Sequence, residues 1–254
     1  MTVIAETLTP RIELNVVSPD KNNLPLHGLE VIIGNHDFIL PYIDVAKKGE
    51  GHTLIPFFDP RPAVNHDLML AGARELAIGL VNSGADVVFT PKSKKSVPMI
   101  IETVKIAGEI SGKKIKLFVI KRGLLSDFDE TDEKPIDFET ITPPYKKYMA
   151  LSKVQTLEIQ QMQKEFINQG RKINAVIADD VISRGGTVRA LRKVVGKVLN
   201  YEDFEIPAYA VIQEFPITWG LGQIPGGPKI DGGIWTPEPQ EYNYPAIMTP
   251  VIIG

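Results

Sequence analysis

The sequence predicts an α/β protein, a central and mostly parallel sheet flanked by helices. Short apolar runs at 86–90, 115–120 and 175–178 have the length of buried strands, and their continuous hydrophobicity suits strands covered on both faces. Segments of helical periodicity separate these runs, and helix alternating with strand calls for parallel strands joined by crossovers. The 254 residues, 43% hydrophobic and 23% charged, suffice for a sizeable core with an elaboration attached.

Residues 1–50 hold apolar clusters interrupted by Pro19, Pro25, Pro41 and several glycines, with 29–34 the best strand candidate. From Asn65, the spacing of Leu68, Leu70, Ala71, Ala73, Leu76, Ala77 and Leu80 predicts a helix capped at or near Asn65 and ended by Ser83 and Gly84. A strand at 86–90 follows. The next helix spans 97–110, with Pro98 tolerated in its first turn, and stops at Ser111 and Gly112. After the strand at 115–120, the segment 123–147 is rich in acids and prolines and too long for an ordinary connection, which predicts a flexible lid. Order returns near Tyr148, and a polar helical stretch runs to 168–170. A strand at 175–178, a helix at 187–199 and a strand within 207–215 complete the core. Beyond Ile217 glycine, proline and aromatic residues dominate. Trp219, Trp235, Tyr242 and Tyr244 need somewhere to pack, so this part reads as a loop-rich cap.

A formal net charge of -3 and a pI near 5.9 argue against general nucleic-acid binding. With no cysteine, a disulfide framework, a thiolate metal site and a cysteine nucleophile are excluded. The first residues lack the basic start and apolar core of a secretory signal, and no run approaches the roughly 18 apolar residues of a membrane span. The expectation is a soluble cytoplasmic protein. His27, His36, His52 and His66 lack metal-ligand spacing, and the acids at 127–133 lack the glycine and closing glutamate of a calcium loop.

The chemistry concentrates at 175–188, where an apolar strand runs into Asp179 and Asp180 and then into Ser183, Arg184, Gly185, Gly186 and Thr187. Carboxylates at the carboxyl end of a strand lie where open α/β sheets bind ligands. The glycines allow positive φ and close backbone approach, so the turn can present N–H groups and hydroxyls to a phosphate at the start of a helix. Acids beside a phosphate turn make sense when they face sugar hydroxyls. A second candidate anion site is Lys92, Ser93, Lys94, Lys95 and Ser96, between a strand and a helix; a solvated lysine loop is the alternative.

The 175–188 run resembles the 5-phosphoribosyl-1-pyrophosphate (PRPP) binding signature of the type I phosphoribosyltransferases, and the resemblance extends over about residues 50–215. It implies a phosphoribosyltransferase core at 51–215 with a flexible loop at about 123–147, and a hood formed by 1–50 and 216–254. Asp179 and Asp180 would engage the ribose hydroxyls, and residues 183–187 the 5′-phosphate, although a smaller residue is commoner in the family where Arg184 stands. The run 90–98, with Lys92, Ser93, Lys94 and Lys95, resembles a lysine-rich version of the family's pyrophosphate loop, with Ser96 or Lys95 standing where a glycine is usual. Lys121 and Arg122 stand where the family has basic residues at the base of its catalytic loop, or are strand-end charges facing solvent. The segment 55–62, with Asp59 and Arg61, resembles the entrance to the first core helix in purine-type members, where the two could equally stabilise a turn. The implied reaction moves 5-phosphoribosyl from PRPP to a nitrogenous base of adenine or xanthine type, releasing pyrophosphate and forming a nucleoside 5′-monophosphate. Mg²⁺ is expected mainly through PRPP, and a homodimer is implied. The alternative is a PRPP-sensing regulator on the same fold; the missing helix-turn-helix pattern and basic surface run favour the enzyme.

Overall fold

The computed structural model describes residues 28–33, 36–47, 51–56, 59–140, 146–182, 185–201, 206–215 and 246–250. The chain begins with an antiparallel three-stranded sheet, β1 (Gly28–Ile33), β2 (His36–Lys47) and β3 (Gly51–Pro56). β2 pairs with β1 through 36–41 and with β3 through 42–47, so Pro41 stands at the changeover between two ladders. That placement tolerates a proline within a strand. Of these three strands only β1 carries a clear sequence signal, because Pro41 and the glycines look like breakers.

Helix α1 (Pro62–Ser83) has an irregular start. Asn65 has extended φ and ψ of -151° and 85°, and its side-chain oxygen accepts the Leu68 N–H at 3.0 Å, so it caps the main part of the helix as expected. β4 (Val87–Pro91), α2 (Ser96–Ser111) and β5 (Lys116–Gly123) follow. Next come β6 (Ile136–Glu139), β7 (Lys146–Ala150), α3 (Lys153–Asn168), β8 (Ala175–Ile182), α4 (Gly186–Leu199), β9 (Ala208–Phe215) and β10 (Ala246–Pro250). These strands form a seven-stranded sheet in the order β10-β9-β8-β4-β5-β7-β6. Five neighbours from β10 to β5 run parallel, and the β6–β7 hairpin adds an antiparallel edge. The predicted class, a mostly parallel sheet flanked by helices, is the observed one.

Side-chain alternation divides the core into two layers. Val88, Val176 and Ala178 pack with Leu76 of α1 and Met99 and Ile100 of α2, and Ile33 of β1 joins this layer. Phe89, Ala175 and Ile177 point to the opposite face, with Ile159 of α3 and Leu191 of α4. Each such fully buried aliphatic or aromatic side chain contributes about 1.5–3 kcal/mol. At the amino ends of the strands, the buried Asp86 carboxylate accepts from Arg171 at 2.7 Å and from the Asn174 N–H at 2.9 Å, tying the approach to β8 onto β4.

Within the segment 123–147, expected as a lid, the described residues make strands and contacts with the core. Phe138 of β6 is buried in the α3/α4 layer. Asp132 is buried too, accepting from Lys121 Nζ at 2.6 Å and from the Asp129 N–H at 3.1 Å. The backbone closes onto α3 through Glu133 N–H to the Leu151 carbonyl and Lys153 N–H to the Thr131 carbonyl, both at 2.8 Å. The alternation Ile136-Asp137-Phe138-Glu139 carried a strand signal that the surrounding acids masked. Of this segment, 141–145 lies outside the described residues. So do 216–245, including Trp219, Trp235, Tyr242 and Tyr244 of the expected cap.

The hairpin also meets α4. A Cβ added to Gly186 would lie 2.5 Å from the Glu139 carbonyl oxygen, a backbone atom that cannot swing away. Gly186→Ala is therefore expected to cost about 1–3 kcal/mol, by the measure of overpacked sites. Urea unfolding of the variant checks this, with wild-type stability as the contrary result.

Candidate functional site

Strand order creates the site. From β4 the chain crosses to β5 on one side, then returns through the hairpin and α3 to β8 on the other side of β4. Successive connections thus leave β4 and β8 in opposite directions, and the carboxyl ends of such strands flank a crevice. β4 pairs with β8 only as far as Phe89↔Ile177, whereas it continues along β5 to Pro91↔Ile120, and β8 continues along β9 to Ile182↔Gln213. The split begins immediately before the acid pair.

On the β4 side, Lys92 N–H donates to the Ile120 carbonyl at 2.8 Å as the chain leaves the sheet. Ser93 Oγ then accepts the N–H groups of Lys95 at 3.2 Å and Ser96 at 3.4 Å, folding the turn onto the start of α2. Lys92 and Lys94 are exposed, while Lys95 is half-buried. Burial lowers the Lys95 pKa, and the charges of Asp59 and Asp180 oppose that effect. Lys95 is thus the lysine of this turn that senses the acid pair. Asp59 and Arg61 are joined by a two-pronged ion pair, Nε to Oδ1 at 2.8 Å and the outer nitrogen to Oδ2 at 2.5 Å. They do stabilise a turn, and this turn lies within electrostatic reach of Lys95. Phe57 and Phe58 of the same segment are outside the described residues.

On the β8 side, Asp179 is buried and its Oδ1 accepts the Asp180 N–H at 3.0 Å. Burial pushes the Asp179 carboxyl well above the usual range, and the neighbouring Asp180 charge adds to this while Arg122 works against it. Burial also raises Asp180, opposed by its hydrogen bonds and by Lys95. Gly185 adopts φ 68°, the left-handed conformation expected of a glycine there, and α4 begins at the next residue. The amino end of α4, with Gly186 and the partly buried Thr187, opens at the same end of the sheet as Asp180. Ser183 and Arg184 lie outside the described residues.

Lys121 and Arg122 diverge, as neighbours on a strand must. Lys121 pairs with Asp132 and lies over the Phe128 ring at 5.3 Å, held by the hairpin approach. Arg122 lies over the Phe138 ring at 5.7 Å and its charge reaches Asp179. The structure thus gathers Lys95, Arg122, Asp179, Asp180, Gly185, Gly186 and Thr187 around one crevice, and sends Lys121 elsewhere. Ser96, expected at this anion site together with the lysines, and Thr90 near the end of β4 bracket the turn. Both are fully buried, and their hydroxyl oxygens have no hydrogen-bond partner. Hydroxyl residues at a strand's end and a helix's first position were the sequence signal for them.

No family model matches the chain, and no curated protein matches it in sequence. Among solved structures it is similar to the Giardia lamblia APRTase complexed with 9-deazaadenine, at 12% identity and TM-score 0.43 over 68% of this chain and 81% of that one. A purine phosphoribosyltransferase from Pyrococcus horikoshii Ot3 gives 18% identity and TM-score 0.34 over 58% and 73% of the two chains. The Trypanosoma brucei adenine phosphoribosyl transferase in complex with AMP, pyrophosphate and ribose-5-phosphate gives 13% and 0.32 over 59% and 54%. These likenesses are slight.

The acid pair sets a pH dependence. Asp179 keeps its proton in the folded protein above the value of about 3.9 at which the unfolded chain releases it. Folding therefore takes up a proton in that window, and stability is lost as pH rises through the raised folded value. Asp179→Asn removes the ionisation; thermal melts from pH 4 to 8 are expected to fall less steeply with pH than wild type. Parallel curves would contradict the assignment.

Proposed function

We propose that the chain binds PRPP across the β4–β8 crevice and transfers its 5-phosphoribosyl group to a nitrogenous base, a purine, releasing pyrophosphate. The observation that carries this reading is the placement of two anion-binding turns at one split in the sheet, with an acid pair between them and Lys95 within reach of Asp180. In this reading Gly185, Gly186 and Thr187 hold the 5′-phosphate together with Ser183 and Arg184. Asp179 and Asp180 accept hydrogen bonds from the ribose hydroxyls. Their burial suits a role in which one carboxyl keeps a proton and the other takes a neutral donor.

Lys95, with Lys92, Ser93 and Lys94, binds the pyrophosphate. As the C1–oxygen bond breaks, negative charge moves onto the departing group, and a fixed cation there lowers the barrier. The base nitrogen attacks the opposite face of a sugar with oxocarbenium character, and the product is a nucleoside 5′-monophosphate. Arg122 offsets the charge of Asp179. Mg²⁺ would travel with the diphosphate. A Mg²⁺ that keeps its waters is held mainly by the diphosphate oxygens and needs few protein ligands. The hood segments 1–50 and 216–254 are assigned the acceptor base. No helix among the described residues is long and apolar enough to cross a membrane.

One observation favours the alternative, a PRPP sensor that does not turn over. Lys121 is tied to Asp132, and the segment leading to β6 is anchored to the core, so the described part of 123–140 is not arranged as a free lid. Incubation with PRPP, Mg²⁺ and a panel of purine and pyrimidine bases separates the readings. Pyrophosphate and one nucleotide are expected in equal amounts, with kcat/KM falling roughly 10²–10³-fold in Lys95→Gln. PRPP binding without turnover on any base would establish the sensor instead.

A further inference from the structure

We propose that the cavity between the β6–β7 hairpin and helices α3 and α4 binds a small phosphate-bearing anion, at a second site separate from the β4–β8 crevice. The cavity measures about 260 Å³, room for a group of phosphate or sugar-phosphate size where a liquid water takes about 30 Å³. Its polar lining converges from three directions. Lys193 and Lys197 come from α4, Thr156 and Gln160 from α3, and Lys134 from the approach to β6, over an otherwise mainly aliphatic floor.

Three features of this lining ask for an anion. Lys193 and Lys197 are four residues apart on one helical face, so their like charges repel unless a negative group lies between them. Lysines outnumber acids in the lining three to one, the acid being Glu133. Asp137 is near enough to feel Lys193 but has its own ion pair with Lys146 at 3.1 Å. The third feature is Thr156 of the lining, whose Oγ1 is enclosed by protein without a hydrogen-bond partner and would meet an occupant once its side chain turned into the cavity. A hydroxyl in that condition gains by meeting an acceptor. Ammonium groups act as point charges and suit the several oxygens of a phosphate. Lys193 and Lys197 follow Gly186 by seven and eleven residues, about 10 and 16 Å along the helix, so one phosphate cannot serve both ends of α4. An occupant would join the hairpin to α4, the two elements that also meet at Glu139 and Gly186.

The test is a titration of the whole chain with inorganic phosphate at constant ionic strength, followed by amide resonances in solution. Those of Thr156, Gln160 and Lys197 are expected to move saturably. In Lys193→Gln/Lys197→Gln, which alters two exposed side chains and spares the core, the apparent affinity at these amides is expected to drop roughly tenfold or more. The response of Gly185 and Gly186 is expected to stay as in wild type, which also reports an intact fold. Thr156→Val is expected to weaken the same response with both lysines present. Resonances at Thr156, Gln160 and Lys197 that stay still, whatever Gly186 does, or that move equally in the double variant, would overturn the proposal.

Discussion

The pairing of β4 with β8, and the point at which it stops, is the constraint on which the rest depends. Three register pairs hold these strands together before each turns its remaining hydrogen bonds to its outer neighbour. A parallel sheet must satisfy its backbone groups throughout a buried interior, so a split of this kind is tolerated only at the strand ends, where turns and ligands can take over. Asp86 fixes the other end. With its carboxylate binding Arg171 and the Asn174 backbone, the register that delivers Asp179 and Asp180 beside Lys95 is held from below.

The electrostatics of the crevice follow from that geometry. Two adjacent acids at the end of a buried strand lose their water, and their carboxyls shift toward the protonated form. Cations come from both flanks, Arg122 toward Asp179 and Lys95 toward Asp180, so neither turn is a site alone. Burial disfavours the charge on Lys95 while the acids restore it. An arrangement of opposed desolvated charges at a crevice marks a candidate functional site.

Much of this was legible in the sequence, for identifiable reasons. The strand at 87–91 and the apolar start of the strand at 175–182 are read easily because burial on both faces leaves little room for polar residues, and Gly84, Gly112 and Gly185 end or open helices with the positive φ that glycine allows. The Asp179–Gly186 segment declares itself because chemistry and turn geometry coincide there. The hairpin at 136–150 was hidden, since Asp132 and its acidic neighbours look like a solvated loop until the partner Lys121 is placed opposite. Lys121 and Arg122, adjacent in sequence, separate only when the strand's alternation is combined with knowledge of which face meets the crevice. β2 was masked by Pro41, and nothing local tells that its two halves serve different neighbours.

The turns after β4 and β8 are proposed to bind the two ends of one PRPP molecule. Calorimetric titration of PRPP, pyrophosphate and ribose 5-phosphate, each with Mg²⁺, into wild type and Lys95→Gln tests it most directly. The variant is expected to lose affinity for PRPP and for pyrophosphate by a similar factor and to keep its affinity for ribose 5-phosphate. Equal weakening of all three ligands, or unchanged PRPP binding, would contradict it.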